Sequence, residues 1–237
     1  MQTERFLRGR HREELSPAEL EALETSVDGT IAIGPREILV PRQTRVNRSM
    51  LLVDGFICRY MDGLDGDRQL VAVHVPGDFV DLHGYPMGYL DHDVATLTAC
   101  TLATYRHATI ERLVRDLPNL GRLLWFSTLL DAAMHREWIF RLGRLNAAGR
   151  VAHFFAEIER RLVMVGLAEG DRFALPFQQT DVASACGLTP VHVSRVLRDL
   201  RERGIVRFSG QSVSIDDRAA LYRVAEFEDG YLFPSKR

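Results

Sequence analysis

The sequence predicts an α+β protein in three parts: an N-terminal antiparallel β-roll, one long helix, and a small C-terminal domain of short helices with a hairpin. Three observations predict it. Between Thr30 and Tyr105, short β-branched runs alternate with Asp-Gly and Pro-Gly turns. From about Thr109 to Leu145 the apolar residues recur at helical spacing instead. Beyond Thr180, two short helical signals meet at a glycine and run into two hairpin-like strands. With 237 residues, 46% of them hydrophobic and 26% charged, the chain can build a substantial core and does not read as disordered.

The strand signals come in order. Thr30–Ile33 and Glu37–Val40 flank Gly34-Pro35, and Ser49–Val53 runs through Asp54-Gly55 into Phe56–Tyr60. Gln69–Val75 precedes the turn Pro76-Gly77-Asp78, and Asp93–Tyr105 is rich in Val, Thr, Leu and Ala. Pro118 suits the first turn of a helix, where its missing N–H costs nothing. The helix expected behind it reaches Leu145, about 40 Å at ~1.5 Å per residue. Its main apolar seam is Leu120, Leu124, Leu130, Met134 and Trp138, with Trp125, Phe126, Ile139 and Phe140 off that seam. A helix apolar nearly all round should lie between two bodies, here the roll and a second copy of the chain. A further helix is expected from Ala148 to Leu167, closed by Glu169-Gly170-Asp171. Then come Thr180–Cys186, the break at Gly187-Leu188, and a helix from Val191 to Arg203 with Thr189 as N-cap and Pro190 in its first turn. Gly204 ends it, and Ile205–Phe208, Ser209-Gly210 and Ser212–Ile215 read as a hairpin.

Charge locates the function. Of 30 basic residues only Lys236 is a lysine. Five arginines (195, 198, 201, 203 and 207) stand against Asp199 and Glu202 between Gly187 and Gly210, a local charge of +3. Gln69 to Tyr105 holds no Arg or Lys and four aspartates. Two helices joined by a glycine turn, the second with a basic polar face, followed by a hairpin, are what a duplex backbone attracts. The competing reading is a solvated arginine-rich helix on a small core; the hairpin behind it and the long helix before it favour DNA. No phosphate-binding glycine loop, nucleophile elbow or His-Glu-x-x-His helix occurs, so an enzyme is not expected. A third class is a ligand-sensing module that signals through protein contacts. No apolar run nears the ~18 residues of a membrane span. The N-terminus is polar, so a cytoplasmic protein without membrane contact is expected.

Four stretches resemble the Crp–Fnr family of bacterial transcription regulators. Gly187-Leu188-Thr189-Pro190-Val191-His192-Val193-Ser194-Arg195-Val196-Leu197 is similar to that family's recognition helix, and Val75-Pro76-Gly77-Asp78-Phe79 to its roll turn. Leu117-Pro118-Asn119-Leu120 resembles the start of its dimer helix, and Asn146–Ala152 the entry to its DNA-binding domain. The resemblance runs in order from about residue 17 to 225. It implies a cyclic-nucleotide-binding-like jelly roll (1–108), a dimerisation helix (109–145) and a winged helix-turn-helix (146–237). It also implies a homodimer on an inverted repeat of double-stranded DNA, with RNA polymerase as a second partner. The base-reading positions fall at Val191, Ser194 and Arg195, with Thr189, Pro190 and His192 beside them. Gln179, Arg198, Arg201, Ser209 and Gln211 are expected near bases or phosphates. Leu120, Leu124, Leu130, Met134 and Trp138 are expected at the dimer interface. The oxygen-sensing branch has a glutamate where this chain has Val191, so the half-site should differ at the base pair that glutamate would read.

Departures from the family narrow the signal. Cyclic-AMP binders hold the phosphate with an Arg-Ser pair behind a Gly-Glu-Leu turn. The matching stretch here runs Asp81-Leu82-His83-Gly84 and Leu90-Asp91-His92-Asp93, with no arginine between Arg68 and Arg106. Control by cyclic AMP is therefore not expected. Cys58, Cys100 and Cys186 are too few and too scattered for an all-cysteine iron–sulfur cluster. No cofactor or metal is expected. Haem is the residual alternative, because His74, His83, His92 and Cys100 lie in the roll. Cys186 reads as a small buried core residue rather than a redox switch.

Overall fold

A computed structural model describes residues 1–235. The chain forms two compact units. The first comprises Met1–Tyr60, Val73–Ala132 and residues 234–235; the second comprises Met61–Ala72 and Ala133–Phe233.

The first unit opens with helix α1 (Pro17–Thr25), capped by Ser16, whose hydroxyl accepts the Glu19 N–H while the Glu19 carboxylate accepts the Ser16 N–H. Strands β1 (Gly29–Ile33), β2 (Ile38–Val40), β3 (Arg48–Asp54), β4 (Ile57–Asp62) and β5 (Arg68–His74) follow, the end of β4 and β5 up to Ala72 belonging to the second unit. Then come the short helix α2 (Gly84–Met87) and strands β6 (Asp93–Thr96) and β7 (Cys100–Arg106). The strands form two sheets, β1-β7-β3 and β2-β6-β4-β5, in which β7 pairs antiparallel with β1 and β3, and β6 with β2 and β4. Alternation along β3 and β7 sorts the core into two layers. Met50, Leu52, Cys100 and Leu102 meet Val40, Ile57 and Val94 inside the roll. Leu51, Ala103 and Tyr105 face the helical layer of Leu23, Ile110, Leu113, Leu120 and Leu124. Both faces of the β1-β7-β3 sheet are thus covered, which is why β3 is buried over four successive residues instead of alternating.

Helix α3 (His107–Asp116) stops at Leu117, which sits at φ −130°, ψ 79°, because Pro118 disfavours a helical residue before it. Helix α4 runs Pro118–Arg144, within one residue of the expected span. Its first half belongs to the first unit and the part from Ala133 to the second. The row expected at a dimer interface lies inside the protomer. Leu120, Leu124, Leu130, Met134 and Trp138 are all buried in the single chain. They were the most apolar row of the helix, and folding of the protomer itself uses that row. The apolar residues left in water are the ones off the seam: Trp125 at 67% exposure, Leu129 at 51%, Ile139 at 71% and Phe140 at 44%. Trp125, Leu129, Ala132, Arg136, Ile139 and Gly143 follow one another at steps of four and three, the spacing of a coiled-coil seam.

The second unit contains α5 (Ala147–Met164), β8 (Arg172–Ala174), α6 (Gln179–Cys186), α7 (Pro190–Glu202), β9 (Val206–Ser209), β10 (Ser212–Ile215) and α8 (Arg218–Ala225). Asn146 caps α5 by accepting the Gly149 N–H. The helix ends three residues before the expected Leu167, because Gly166 N–H bonds Val163 O and Leu167 N–H bonds Leu162 O. The stop signal was Gly166, not Gly170. Strands β8, β10 and β9 make one antiparallel sheet in that order. Neither β8, with three residues, nor α8 stands out by periodicity, although Asp217 caps α8 through the Ala220 N–H.

Candidate nucleic-acid interface

The two short helices are set by one residue. Gly187 adopts φ 61°, ψ 44°, a left-handed conformation that a side chain disfavours, and the Gly187 and Leu188 N–H groups both return to Ala183 O. The chain then re-enters helix at once. Thr189 Oγ1 accepts the His192 N–H at 3.3 Å, and Pro190 takes the first helical position. Val193, Val196, Leu197 and Leu200 are buried, which fixes the rotation of α7 about its axis. The opposite face is left to solvent: Thr189, Pro190, Val191, His192, Ser194, Arg195, Arg198 and Arg201 are all exposed.

Behind α7, β9 and β10 form a hairpin whose turn residues Gly210 and Gln211 sit at φ 56° and 61°. Two positive φ values in a two-residue loop match the twist of an antiparallel pair. Gln179, Val191, Ser194, Arg195, Arg198, Arg201 and Ser209 line one cleft of about 580 Å³ between α7 and this wing. Thr189 and His192 line the adjacent face of α7 with Asp199. Pro190 lies in a third recess, and Gln211 stands exposed at the wing turn outside the cleft. Arg207 and Phe208 also line the cleft and were not among the expected site residues. Arg207 was visible in the charge count, but only the β9 register shows its strand beside α7.

The arginines divide into two kinds. Arg203 pairs with Asp199 at 2.9 Å, and Arg207 makes a two-pronged pair with Asp216 at 2.8 and 2.6 Å. Arg195, Arg198 and Arg201 have no such partner among the described residues. Three unpaired guanidiniums on one exposed face can take phosphates or base edges without first breaking an ion pair.

The roll histidines lie elsewhere, in the first unit. His74 is buried, and Asp78 Oδ2 at 3.6 Å from its Nδ1 is too far for a hydrogen bond. Burial, reinforced by the positive Arg59, lowers His74 to about 4 and His83 to about 3. His92 is lowered for the same reasons. Arg59 is buried too, with Nε and Nη2 on Val80 O and Nη1 on Asp131 at 2.5 Å. Cys100 donates its thiol to Phe56 O and Thr98 O, and burial holds its pKa up. Cys186 is buried and pushed up to about 11, a protonated core thiol. Among the described residues no three His, Cys, Asp or Glu side chains are arranged to hold a metal ion.

Comparison with known proteins agrees with this geometry. Residues 149–224 match the family model of the Crp-like helix-turn-helix domain. The chain is 34% identical over 167 residues to the transcriptional activator protein FnrL of Cereibacter sphaeroides, covering 68% of this chain and 66% of that protein. It is 29% identical over 170 residues to the nitrogen fixation regulation protein FixK of Azorhizobium caulinodans, covering 71% and 66%. The matched part thus spans just under two thirds of each of these relatives. Among solved structures, FixK2 from Bradyrhizobium japonicum superposes with a TM-score of 0.74 at 26% identity, over 83% of this chain and 96% of that one.

Proposed function

The chain belongs to the Crp–Fnr family of DNA-binding transcription regulators, and from that premise we infer that it works as a homodimer on an inverted-repeat promoter site. The observation that carries this reading is the exposed face of α7, where Arg195, Arg198 and Arg201 stand unpaired beside the wing. The exposed stripe of α4, from Trp125 through Leu129 and Ile139, is the surface on which two copies would join. Such a dimer sets its two α7 helices in successive major grooves, about 34 Å apart. RNA polymerase is the second partner in this reading. Action at promoters puts the protein in the cytoplasm in this reading; no helix among the described residues is long and apolar enough to cross a membrane.

Arg195 is the base reader and Arg201 a phosphate contact. On one operator, Arg195→Ala should lose about 10- to 100-fold of discrimination against a changed base pair while keeping weak, salt-sensitive binding. Arg201→Ala should weaken binding to all sequences about equally and lower the salt slope by about one. Competition binding over a salt series reads both; an Arg195→Ala protein with unchanged sequence preference would overturn the assignment.

We propose that cyclic nucleotide does not control this chain. A cyclic phosphate needs a fixed guanidinium, and the buried Arg59 already spends its N–H groups on Val80 O and Asp131. His83 and His92 are held neutral, and Asp81 adds a carboxyl that burial raises to about 7. Titration calorimetry with cyclic AMP and cyclic GMP should show no micromolar binding. A second reading, a regulator answering to haem or another small ligand, draws on one observation: Nε2 of His74, His83 and His92 is buried in each case without a hydrogen-bond partner. Haem added to the purified chain decides that case by the presence or absence of a new absorption band.

A further inference from the structure

The last four carbonyls of a helix have no partner within it. In α6 the first of them, Ala183 O, is taken by the Gly187 and Leu188 N–H groups. The next two are taken by side chains from outside the helix pair. Ser184 O accepts Gln69 Nε2–H at 2.7 Å, and Gln69 is the second residue of β5, 115 positions upstream. The same nitrogen donates to Leu70 O at 2.8 Å, which holds the Gln69 side chain against its own strand. Ala185 O accepts Arg141 Nη2–H at 2.7 Å. Arg141 lies near the C-terminal end of α4, wholly buried, with its guanidinium carbon 4.1 Å above the centre of the Trp138 ring. A cation there also faces the negative end of the α6 dipole.

These contacts close on the turn itself. A Cβ built on Gly187 would lie 3.4 Å from Leu142 Cδ2 and 3.6 Å from Gln69 Oε1. Asp67, Arg68 and Gln69 line one recess with Ser184, Gly187 and the Thr189-Pro190 start of α7. The end of α6, and with it the departure angle of α7, is therefore gripped from two sides by residues that lie outside the cleft between α7 and the wing.

We propose that Gln69 and Arg141 are positioning residues for sequence reading: by capping Ser184 O and Ala185 O they fix the angle at which α7 meets the bases. This rests on α7 being the reader. Base-edge hydrogen bonds demand placement within about 0.5 Å, whereas long arginines reach phosphates from a range of angles. Losing a cap therefore lowers preference for the operator more than it lowers binding to DNA in general.

The test uses the full-length protein and an operator selected from a random duplex library. Gln69→Glu keeps the shape but sets a carboxylate against a carbonyl; Gln69→Arg keeps a donor at a half-exposed position. Gln69→Glu is expected to reduce the ratio of operator to random-duplex affinity by about tenfold, with an unchanged salt slope and melting temperature. Gln69→Arg retains the ratio. Arg141→Lys retains it as well, and Arg141→Met lowers it. Gln69→Glu with the parental ratio would overturn the proposal. So would an equal loss on both DNAs accompanied by a lower melting temperature, which marks a purely structural contact. If Arg141→Met does not fold, the two Gln69 variants decide alone. A parent protein that selects no sequence from the library refutes the DNA-reading function itself, a separate result.

Discussion

Leu129→Glu and Ile139→Glu are each expected to give a folded monomer that binds the operator at least about 100-fold more weakly than the parent. Both residues are more than half exposed in the single chain, so a carboxylate there costs the protomer little. In a dimer built on the Trp125–Leu129–Ala132–Arg136–Ile139–Gly143 stripe, the same carboxylate would be buried against its own copy without a counter-charge. The monomer then presents one α7 where the operator needs two. Met134→Glu should behave differently. Met134 is only 8% exposed within the chain, and a charge there should unfold the protein rather than dissociate a folded dimer. Sedimentation at micromolar concentration, read beside thermal melting, separates the two outcomes. A Leu129→Glu, Ile139→Glu double variant that still sediments as a dimer would remove α4 as the interface.

The second large effect concerns stability. Glu157 is fully buried in α5, accepting the Trp138 indole N–H at 3.1 Å, the Tyr231 hydroxyl at 2.8 Å and Arg161 Nη1–H at 3.3 Å. Burial pulls its pKa upward, but the Arg161 and Arg141 guanidiniums, with His153 and the indole N–H, outweigh it and leave the carboxyl below its ordinary 4.5. Glu157→Gln keeps the shape and leaves buried positive charge uncompensated. It should cost about 3–5 kcal/mol, on the order of 10 °C in Tm. The sign with pH follows from the lowered value. A carboxyl whose folded pKa is depressed contributes stability that is complete above the unfolded pKa and is lost as pH falls through the folded one. The gap between parent and variant should therefore stay constant from neutral pH down to about 5, then narrow in acid. Chemical denaturation across that pH range measures it; a gap that is already absent at neutral pH would refute the role of the charge.

Local signals carried the element order and the exposed basic face of α7. Strand boundaries from Gly29 to Arg106, the break at Pro118 and the α6–Gly187–α7 unit are each set within a few residues by turn glycines, prolines and caps, which act on neighbours in sequence. The polar face of α7 was legible for the same reason: four buried apolar residues at helical spacing leave only one side for Arg195, Arg198 and Arg201. Arg207 and Phe208 were not, because a strand residue joins the cleft only once β9 has paired with β10.

Helix α4 shows where local reasoning stops. Periodicity finds the apolar rows of α4, but it cannot say which row the protomer consumes and which it leaves in water. The richer row, Leu120 to Trp138, went inside; the weaker one, Trp125 to Ile139, stayed out. By itself the sequence determined the β-roll, the long helix, the winged pair of helices and the basic face of α7, because propensity, capping and charge act within a turn or two of the chain. Only the tertiary structure decided the exposed stripe of α4, the buried Glu157 network and the grip of Gln69 and Arg141 on α6. Each of those joins residues 19 to 115 positions apart, or depends on which surface is already covered, and burial is a property of the whole packed chain.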